Sequence, residues 1–178
     1  MKKTGKQKKE RGGGNSTPKL FGDDLWKYTR LMRKCEYLKN CSNNFVLRAF
    51  YLWNFKRRSV RYGFSIPLNS FGPGLKIIHR GTIVVNPGAK IGPNARINCD
   101  VVIGAKLGTK SAAPIIGKNC YIACGAKIIG EISVGDNVII GANAVVVKDV
   151  QDNVTVAGIP AKVISSKNTK DVFTYFVD

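Results

Sequence analysis

Aliphatic residues recur at every sixth position through the centre of the chain, in two runs that only the segment 104–115 separates. Neither the helical period of 3.6 nor the strand period of 2 reproduces this spacing. Short strands joined by tight turns do so, if each strand points one aliphatic residue inward. We therefore predict an internal six-residue repeat of short strands. The repeated positions are Val85, Ile91, Ile97, Ile103, Ile116, Ile122, Ile128, Val134, Ile140 and Val146.

Three stretches carry a more specific pattern than the period alone. They read GPGLKIIHRGTIVVNPGAKIGPN at 72–94, APIIGKNCYIACGAKIIGEISVGDNVIIGANAVVVKDV at 113–150, and VAGIPAKVI at 156–164. In order and spacing they resemble the hexapeptide-repeat acyltransferases, nearest the serine O-acetyltransferase branch. The resemblance implies a mainly β fold, a left-handed parallel β-helix from about Leu75 to Val163, in which three hexapeptides form one triangular coil. It also implies a homotrimer that holds acetyl-CoA between neighbouring subunits.

Two apolar segments before the repeat read as helices. Asp23 and Asp24 offer an N-cap and favourable charge for a helix that runs to about Asn40. A second helix is predicted over 45–60, with basic residues at its C-terminal end and Gly63 as its stop. We interpret this short α-helical segment as a cap on the β-helix, with an oligomerisation or membrane-facing patch as the alternative. The inner face of the first helix should comprise Leu25, Tyr28, Leu31, Met32, Cys35 and Leu38.

These elements divide the chain into four parts. Residues 1–22 are predicted to be a disordered basic tail, because they are rich in Lys and contain three consecutive glycines. Residues 23–63 form the helical segment and 64–165 the β-helix acyltransferase domain. Residues 166–178 form a C-terminal tail, either packed on the β-helix or frayed.

The charge of +18 belongs mostly to the N-terminal third. Residues 1–62 hold 17 Lys and Arg against 4 Asp and Glu, which gives +13, and the remainder holds 12 against 7, which gives +5. Such a block can meet an anionic membrane surface or nucleic acid, or form a solvated face. We expect no nucleic acid partner, because no motif interleaves aromatic and basic residues in a reading pattern.

Compartment follows from what the sequence lacks. No stretch is apolar enough to span a bilayer, and the basic start has no apolar run of the kind a secretory signal needs. The five cysteines are odd in number and have no paired metal-ligand spacing, which favours free thiols. We expect a cytoplasmic protein without a metal, peripheral at the inner membrane face if its basic third meets anionic lipid.

His79 is the only histidine in the chain. It stands six residues before Val85, at the place where the six-residue period would put an inward aliphatic residue. A lone histidine is more often structural than catalytic, but in the resembled family Gly-x-Gly, four residues and then His carries the general base. Gly72, Gly74 and His79 reproduce that motif. An alcohol attacks a thioester poorly until a base removes its proton, and histidine titrates close to neutral pH.

The remaining site residues are carried over from the resemblance or chosen for their place in the repeat. Small residues should let the pantetheine arm of acetyl-CoA lie against the coils, and lysines should meet its phosphates. Cys124 is also a competing nucleophile, but no second histidine exists to activate it. The acceptor is expected near Asn98 and Tyr121. The predicted acetyl-CoA contacts are Gly104, Ala105, Lys106, Cys124, Gly125, Ala142, Lys148 and Lys162.

The chain departs from the serine-specific pattern in four places: Phe64 and Ile78 replace carboxylates, and Ala112 and Ala113 replace an Arg-His pair. Because a serine zwitterion without partners is costly to bury, we expect O-acetyl transfer to a sugar hydroxyl in a polysaccharide precursor. The alternatives are serine O-acetyltransfer in cysteine biosynthesis, a zinc β-helix enzyme of the carbonic anhydrase kind, and a non-catalytic basic scaffold. A zinc site needs several histidines, which one per chain supplies only if three subunits share it.

Overall fold

A computed structural model of the chain describes residues 24–109 and 112–173. The predicted tail at 1–22 therefore lies outside the described residues. Two helices come first, followed by fourteen short strands and one helical turn. Their bounds are α1 Asp24–Cys41, α2 Phe45–Tyr62, β1 Phe64–Ser65, β2 Lys76–Ile77, β3 Ile83–Val85, β4 Lys90–Ile91, β5 Arg96–Ile97, β6 Val101–Gly104, β7 Ile115–Ile116, β8 Tyr121–Ile122, β9 Lys127–Ile129, β10 Ser133–Val134, β11 Ile139–Ile140, β12 Val145–Val146, β13 Thr155–Gly158, β14 Ala161–Ser165 and α3 Thr169–Val172.

Helix α2 begins and ends at residues whose chemistry suits those positions. Asn44 accepts a hydrogen bond from the backbone N–H of Leu47 and so caps the start of α2. Gly63 ends α2 in the left-handed conformation, at φ 74°, which glycine adopts without a steric penalty. The helices pack on each other through Tyr28, whose ring stacks on Phe55 at 5.2 Å between ring centroids. Of the helices in the described ranges, none combines the length and the apolarity that crossing a bilayer requires.

The strands form a coil with three faces. From β1 to β13, consecutive strands lie in different sheets, and strands one coil apart pair in parallel. Sheet A has the order β1-β3-β6-β9-β12, sheet B β10-β7-β4, and sheet C β14-β13-β11-β8-β5-β2, in which only the β13–β14 pair is antiparallel. The fold is thus mainly β with parallel sheets and a short helical N-terminal part.

The ten aliphatic positions of the repeat fill the interior of the coil, because each exposes at most 3% of its surface. They stack in columns: Ile97 pairs with Ile122, and Ile122 pairs with Ile140. Small residues two places earlier lie in the same interior, including Ala89, Ala95, Ala126 and Ala144. Their size leaves room for the aliphatic side chains in a tightly packed core.

A ladder of asparagine side chains runs along the corner between sheets B and C. The amide of Asn94 donates to Asn119, Asn119 donates to Asn137, and Asn137 donates to Asn153, at 3.1, 3.0 and 2.8 Å. All four have φ between 57° and 59°. Asparagine tolerates this left-handed conformation better than other side chains, so the ladder stabilises corners that the tight turns require.

Helix α1 is fixed to the first coil by two charged side chains. Arg33 donates hydrogen bonds to the carbonyl oxygens of Phe71 and Gly72, and it pairs with Glu36 at 2.8 Å. Glu36, which is buried, also accepts from the backbone N–H of Asn69 at 2.8 Å. These bonds tie a helix whose inner face is Tyr28, Met32, Cys35 and Leu38, with Leu25 and Leu31 partly buried.

Candidate active site

His79 lies on a corner of the coil that is wider than the others. Ile77 pairs with Ile97, and Ile83 pairs with Val101. The chain therefore advances six positions from Ile77 to Ile83 in the first coil, but only four from Ile97 to Val101 in the second. The two additional residues move His79 outward. Ile77 is buried at the inward place of this coil, and His79, at the position where a strict six-residue period would put an inward residue, is exposed.

Polar residues of the first coil bond to the helical segment. Asn69 exchanges side-chain hydrogen bonds with Asn40 of α1. Arg80, next to His79, forms a 2.6 Å ion pair with Asp24 at the start of α1. Its guanidinium also lies 5.5 Å from the ring centroid of Tyr62. Arg80 thus links the His79 corner to helices α1 and α2.

Small side chains line the edge of the coil that carries His79. The registers that join Ile97, Ile122 and Ile140 place Cys99, Cys124 and Ala142 at equivalent corner positions in successive coils. The sulfur atoms of Cys99 and Cys124 are 3.3 Å apart. Gly125 has φ 76°, and a side chain there would collide with Asn143. The predicted contacts Cys124, Gly125 and Ala142 therefore lie on the edge that carries His79.

The thiols of Cys35, Cys99 and Cys120 are protonated groups rather than activated nucleophiles. The pKa of Cys99 is raised, first because its thiol hydrogen-bonds to Cys124 and second because partial burial disfavours the thiolate. Burial raises the pKa of Cys120 to about 12 and that of Cys35 to about 11. Raised pKa values lower the thiolate fraction at neutral pH, which makes these cysteines poor nucleophiles.

The predicted acceptor residues Asn98 and Tyr121 contact each other. The amide of buried Asn98 donates to the Tyr121 hydroxyl at 3.0 Å and to the carbonyl of Ile122 at 3.3 Å. Phe173 covers the Tyr121 ring at 5.0 Å between centroids. The segment left open as packed or frayed thus packs on the coil up to Phe173, and residues 174–178 lie outside the described part.

The other predicted contacts lie on the next edge of the coil. Gly104 ends β6, and the backbone N–H of Lys106 donates to the carbonyl of Ala112, which closes the base of the loop that leaves the coil. Lys106 also lines a cleft of 430 Å³ together with Ile129 and Glu131. Gly104, Ala105 and Lys106 are therefore separated from His79 by the width of sheet A.

Lys148 and Lys162 line one cleft of 730 Å³ between the last coil and β14, with Asp149 and Asp152 on its wall. The two lysines predicted to meet phosphates are thus brought together by the closing hairpin. Among residues 24–109 and 112–173, no group of three or more potential metal ligands comes together.

The four positions that depart from the serine-specific pattern carry apolar side chains that are buried or half-buried. Phe64, Ala112 and Ala113 are buried, and Ile78 is half-buried beside His79. Burial at these positions follows from the packing of the first coil on the helices and from closure of the loop base.

Comparison with known proteins identifies a family model in the repeat region. The model described as bacterial transferase hexapeptide (six repeats) matches residues 113–148. The serine acetyltransferase of Buchnera aphidicola subsp. Schizaphis graminum is 38% identical over 140 residues, which cover 70% of this chain and 54% of that protein. The chain therefore spans about half the length of the curated relatives it matches.

Solved structures give the same result. Serine acetyltransferase from Brucella abortus strain S19 has a TM-score of 0.68 and 31% identity, covering 82% of this chain and 58% of that one. Its complex with coenzyme A has a TM-score of 0.64 and 30% identity, covering 81% and 57%. Neisseria gonorrhoeae serine acetyltransferase in complex with serine has a TM-score of 0.65 and 31% identity, covering 79% and 57%.

These relatives overturn one sequence-based expectation. We expected a sugar or polysaccharide hydroxyl as acceptor, because four positions lack the charges of the serine-specific pattern. The relatives and structural neighbours named here are serine acetyltransferases. The polysaccharide interpretation was therefore wrong, and the serine alternative is the one that the comparisons support.

Proposed function

We propose that this chain, which belongs to the bacterial hexapeptide transferases and lies nearest their serine acetyltransferase branch, is an O-acetyltransferase that uses acetyl-CoA and acts on serine. The observation that carries the proposal is the position of His79. The sole histidine is exposed on the widened corner of a coil whose repeat matches this family. Acetyl-CoA as co-substrate is supported by the complex of a related structure with coenzyme A.

His79 is the proposed general base. Its imidazole accepts the proton of the serine hydroxyl while the hydroxyl oxygen forms a bond to the acetyl carbonyl carbon. The carbon–sulfur bond then breaks, and the leaving sulfur receives the proton from the imidazolium. No covalent enzyme intermediate is needed, in keeping with the raised pKa of Cys99 beside Cys124. General base catalysis of this kind contributes about 10²–10⁴-fold.

The proposed acetyl-CoA site uses two edges of the coil. Cys124, Gly125 and Ala142 share the edge of His79, where small side chains leave space beside the corner. Lys148 and Lys162 share the last cleft and offer two cations for phosphate groups. Gly104, Ala105 and Lys106 border the loop that leaves the coil.

The separation of the two edges supports a homotrimer. The strands of sheet A between them are two to four residues long, so the edges are roughly 10 Å apart at about 3.3 Å per residue. One shallow groove on one chain does not hold both sets of residues. In a side-by-side trimer, the edge of one subunit that carries Gly104, Ala105 and Lys106 would face the His79 edge of its neighbour and complete the site.

We also propose that the coil is left-handed. Support comes from the six-residue repeat and from the resemblance of the whole coil to solved members of the family. A crystal structure of the chain gives the hand directly, and a right-handed coil would contradict the proposal.

The test is acetyl transfer to L-serine by the full chain, followed by release of the CoA thiol and by the mass of O-acetylserine. We expect turnover that falls by two or more decades in His79→Ala, because the proton acceptor is lost while acetyl-CoA still binds. Arg48→Ala, which removes a cation from the first turn of α2, at the end of the helix away from Tyr62, is the matched control and should retain wild-type turnover. Retention of more than about a tenth of wild-type turnover by His79→Ala would refute the general base. Absence of O-acetylserine at saturating acetyl-CoA would refute the acceptor.

A further inference from the structure

Helix α2 presents an apolar face that no described part of the chain covers. Its inner face packs on α1 and β1 through Phe55 and Tyr62, with Tyr51 and Leu52 partly buried. The opposite face leaves large side chains in solvent: Val46 is 77% exposed, Phe50 57%, Trp53 59% and Val60 84%. Exposed aromatic residues in such a continuous patch mark an interaction surface.

These residues form one stripe along the helix. Positions 46, 50, 53, 57 and 60 are separated by four, three, four and three residues, which places them on one side of an α-helix. The fourth position is Arg57, whose guanidinium lies 5.6 Å from the centroid of the Trp53 ring. The stripe therefore combines apolar side chains with a cation at its C-terminal half.

The charges on α2 all have one sign. The helix carries Arg48, Lys56, Arg57, Arg58 and Arg61, and its sequence contains neither Asp nor Glu. A second copy of α2 docked on this face would bring two such sets together, and like charges across an interface are repulsive. The helix face is thus complementary to an anionic surface and not to itself.

A cleft beside the stripe adds room for an anionic group. It has a volume of 390 Å³ and is lined by Lys27 of α1 and by Arg57, Arg58 and Arg61 of α2, with Asp24 as the one carboxylate among the lining residues. Cations converging on a cleft of this size suit the phosphate of a lipid headgroup, next to aromatic side chains that suit the acyl boundary.

We propose that α2 docks this chain on a membrane surface rich in anionic phospholipid. The helix lies in the plane of the interface, with Val46, Phe50 and Trp53 in contact with the acyl chains and the basic residues among the headgroups. Apolar contact and electrostatic attraction act together in binding of this kind. This proposal is independent of the acetyl-transfer chemistry and concerns where the chain is held.

The test uses the full chain and vesicles of phosphatidylcholine alone or with phosphatidylglycerol in equal parts, at about 0.1 M salt. We expect co-sedimentation with the anionic vesicles and not with the neutral ones. In a Trp26→Phe variant, Trp53 is the single tryptophan, and its fluorescence should shift to shorter wavelength when anionic vesicles are added. An unchanged spectrum on bound protein would overturn the proposal.

Two pairs of variants separate the apolar from the electrostatic contribution. Trp53→Ser should weaken binding by about tenfold or more. Val172→Ser, at a similarly exposed apolar residue on α3, should change it by less than about twofold. Arg57→Gln should weaken binding by about fivefold and Lys76→Gln, which removes one charge far from α2, by less.

Three outcomes would contradict docking by α2. Binding that Trp53→Ser leaves unchanged would mean that positive charge alone attracts the chain to polyanions, nucleic acid included. Equal binding to neutral vesicles would mean that headgroup charge is not recognised. A change of mass in solution in Trp53→Ser, without a change in vesicle binding, would identify the face as a contact between copies of the chain.

Discussion

At the scale of single residues, the corners of the coil decide where chemistry can occur. The corner before β3 holds two more residues than the next corner in the same column, so His79 leaves the interior while Ile77 takes the inward place. Further along that edge Cys99, Cys124 and Ala142 are small enough to leave a groove. The corner asparagines, in contrast, bond to each other and stabilise the turns.

Ala142→Trp should abolish acetyl-CoA binding, because Ala142 is exposed on the edge that carries His79 and bulk there fills the proposed groove. Ala49→Trp, at an exposed alanine of α2, is the matched control. Isothermal titration with CoA measures both. Equal affinity in Ala142→Trp and wild type would place the pantetheine arm elsewhere.

Stability should fall in alkaline solution because of buried thiols. The pKa of Cys120 rises from 9.0 to about 12 on folding, chiefly through burial. Between these values the unfolded chain binds fewer protons than the folded one, so the free energy of unfolding decreases as pH rises, by about 1.4 kcal/mol per pH unit for one thiol. The contribution is fully present below pH 9.0 and lost as the pH approaches the folded value.

Urea unfolding at several pH values from neutral to alkaline measures this slope. In Cys120→Ala the decline should be shallower, because the titrating thiol is removed. The variant should still fold, because alanine fills the equivalent position in other coils, as Ala95 and Ala126 show. The buried Tyr28 and Cys35, whose pKa values rise to about 12 and about 11, keep part of the decline in both proteins. An identical slope in the variant would exclude Cys120 as a source.

At the scale of elements, each strand is too short to be stable alone, and the stacked columns supply the stability. Strands of two residues contribute one inward side chain, and that side chain packs against its equivalents in the coils above and below. The repeat is thus a set of nearest-neighbour contacts. The helices add a different contact, since Arg33 and Glu36 bond to the backbone at 69–72 and cover the start of the coil.

Replacement of an inward residue should cost far more than replacement of an outward one. Ile122→Ala leaves a cavity in a column that is fully buried, and we expect a loss of about 2–5 kcal/mol in the free energy of unfolding. Ile129→Ala, at an isoleucine that is 37% exposed on β9, is the matched control and should cost less than about 1.5 kcal/mol. Chemical denaturation of both variants decides the point, and similar losses would mean that the columns do not carry the stability.

At the scale of the whole molecule, the proposed function needs more than one chain. The edge with His79 and the edge with Gly104 and Ala105 face different directions, and a side-by-side neighbour can join them. The opposite end of the chain carries a basic, aromatic helix that the coil does not cover. In our proposals, this end of the molecule meets a membrane, and the sides of the coil meet other subunits.

Mass in solution should correspond to three chains at micromolar concentration. Light scattering during gel filtration gives that mass, and titration with CoA on the same sample gives the number of sites per trimer. Three sites are expected, one at each junction between neighbours. A monomer that binds CoA with full stoichiometry would contradict a site shared between subunits.

The sequence by itself determined the periodic part of the protein. One aliphatic residue in six is a local rule that each strand obeys independently, and all ten positions that it marks from 85 to 146 are buried. The second helix, predicted over 45–60 with Gly63 as its stop, runs over Phe45–Tyr62, because a cap such as Gly63 acts within one turn of chain. Asparagine three residues after four of the ten marks, at Asn94, Asn119, Asn137 and Asn143, is a further local signal in the sequence.

Only the tertiary structure decided what lies beside what. The additional residues at the His79 corner alter the alignment of coils, and a fixed period cannot register them. The contact of Cys99 with Cys124, the shared cleft of Lys148 and Lys162, and the attachment of α1 through Arg33 join residues distant in sequence. The outward face of α2 is likewise a property of packing, because its sequence shows apolar residues all round and only contact with α1 and β1 selects which of them are buried.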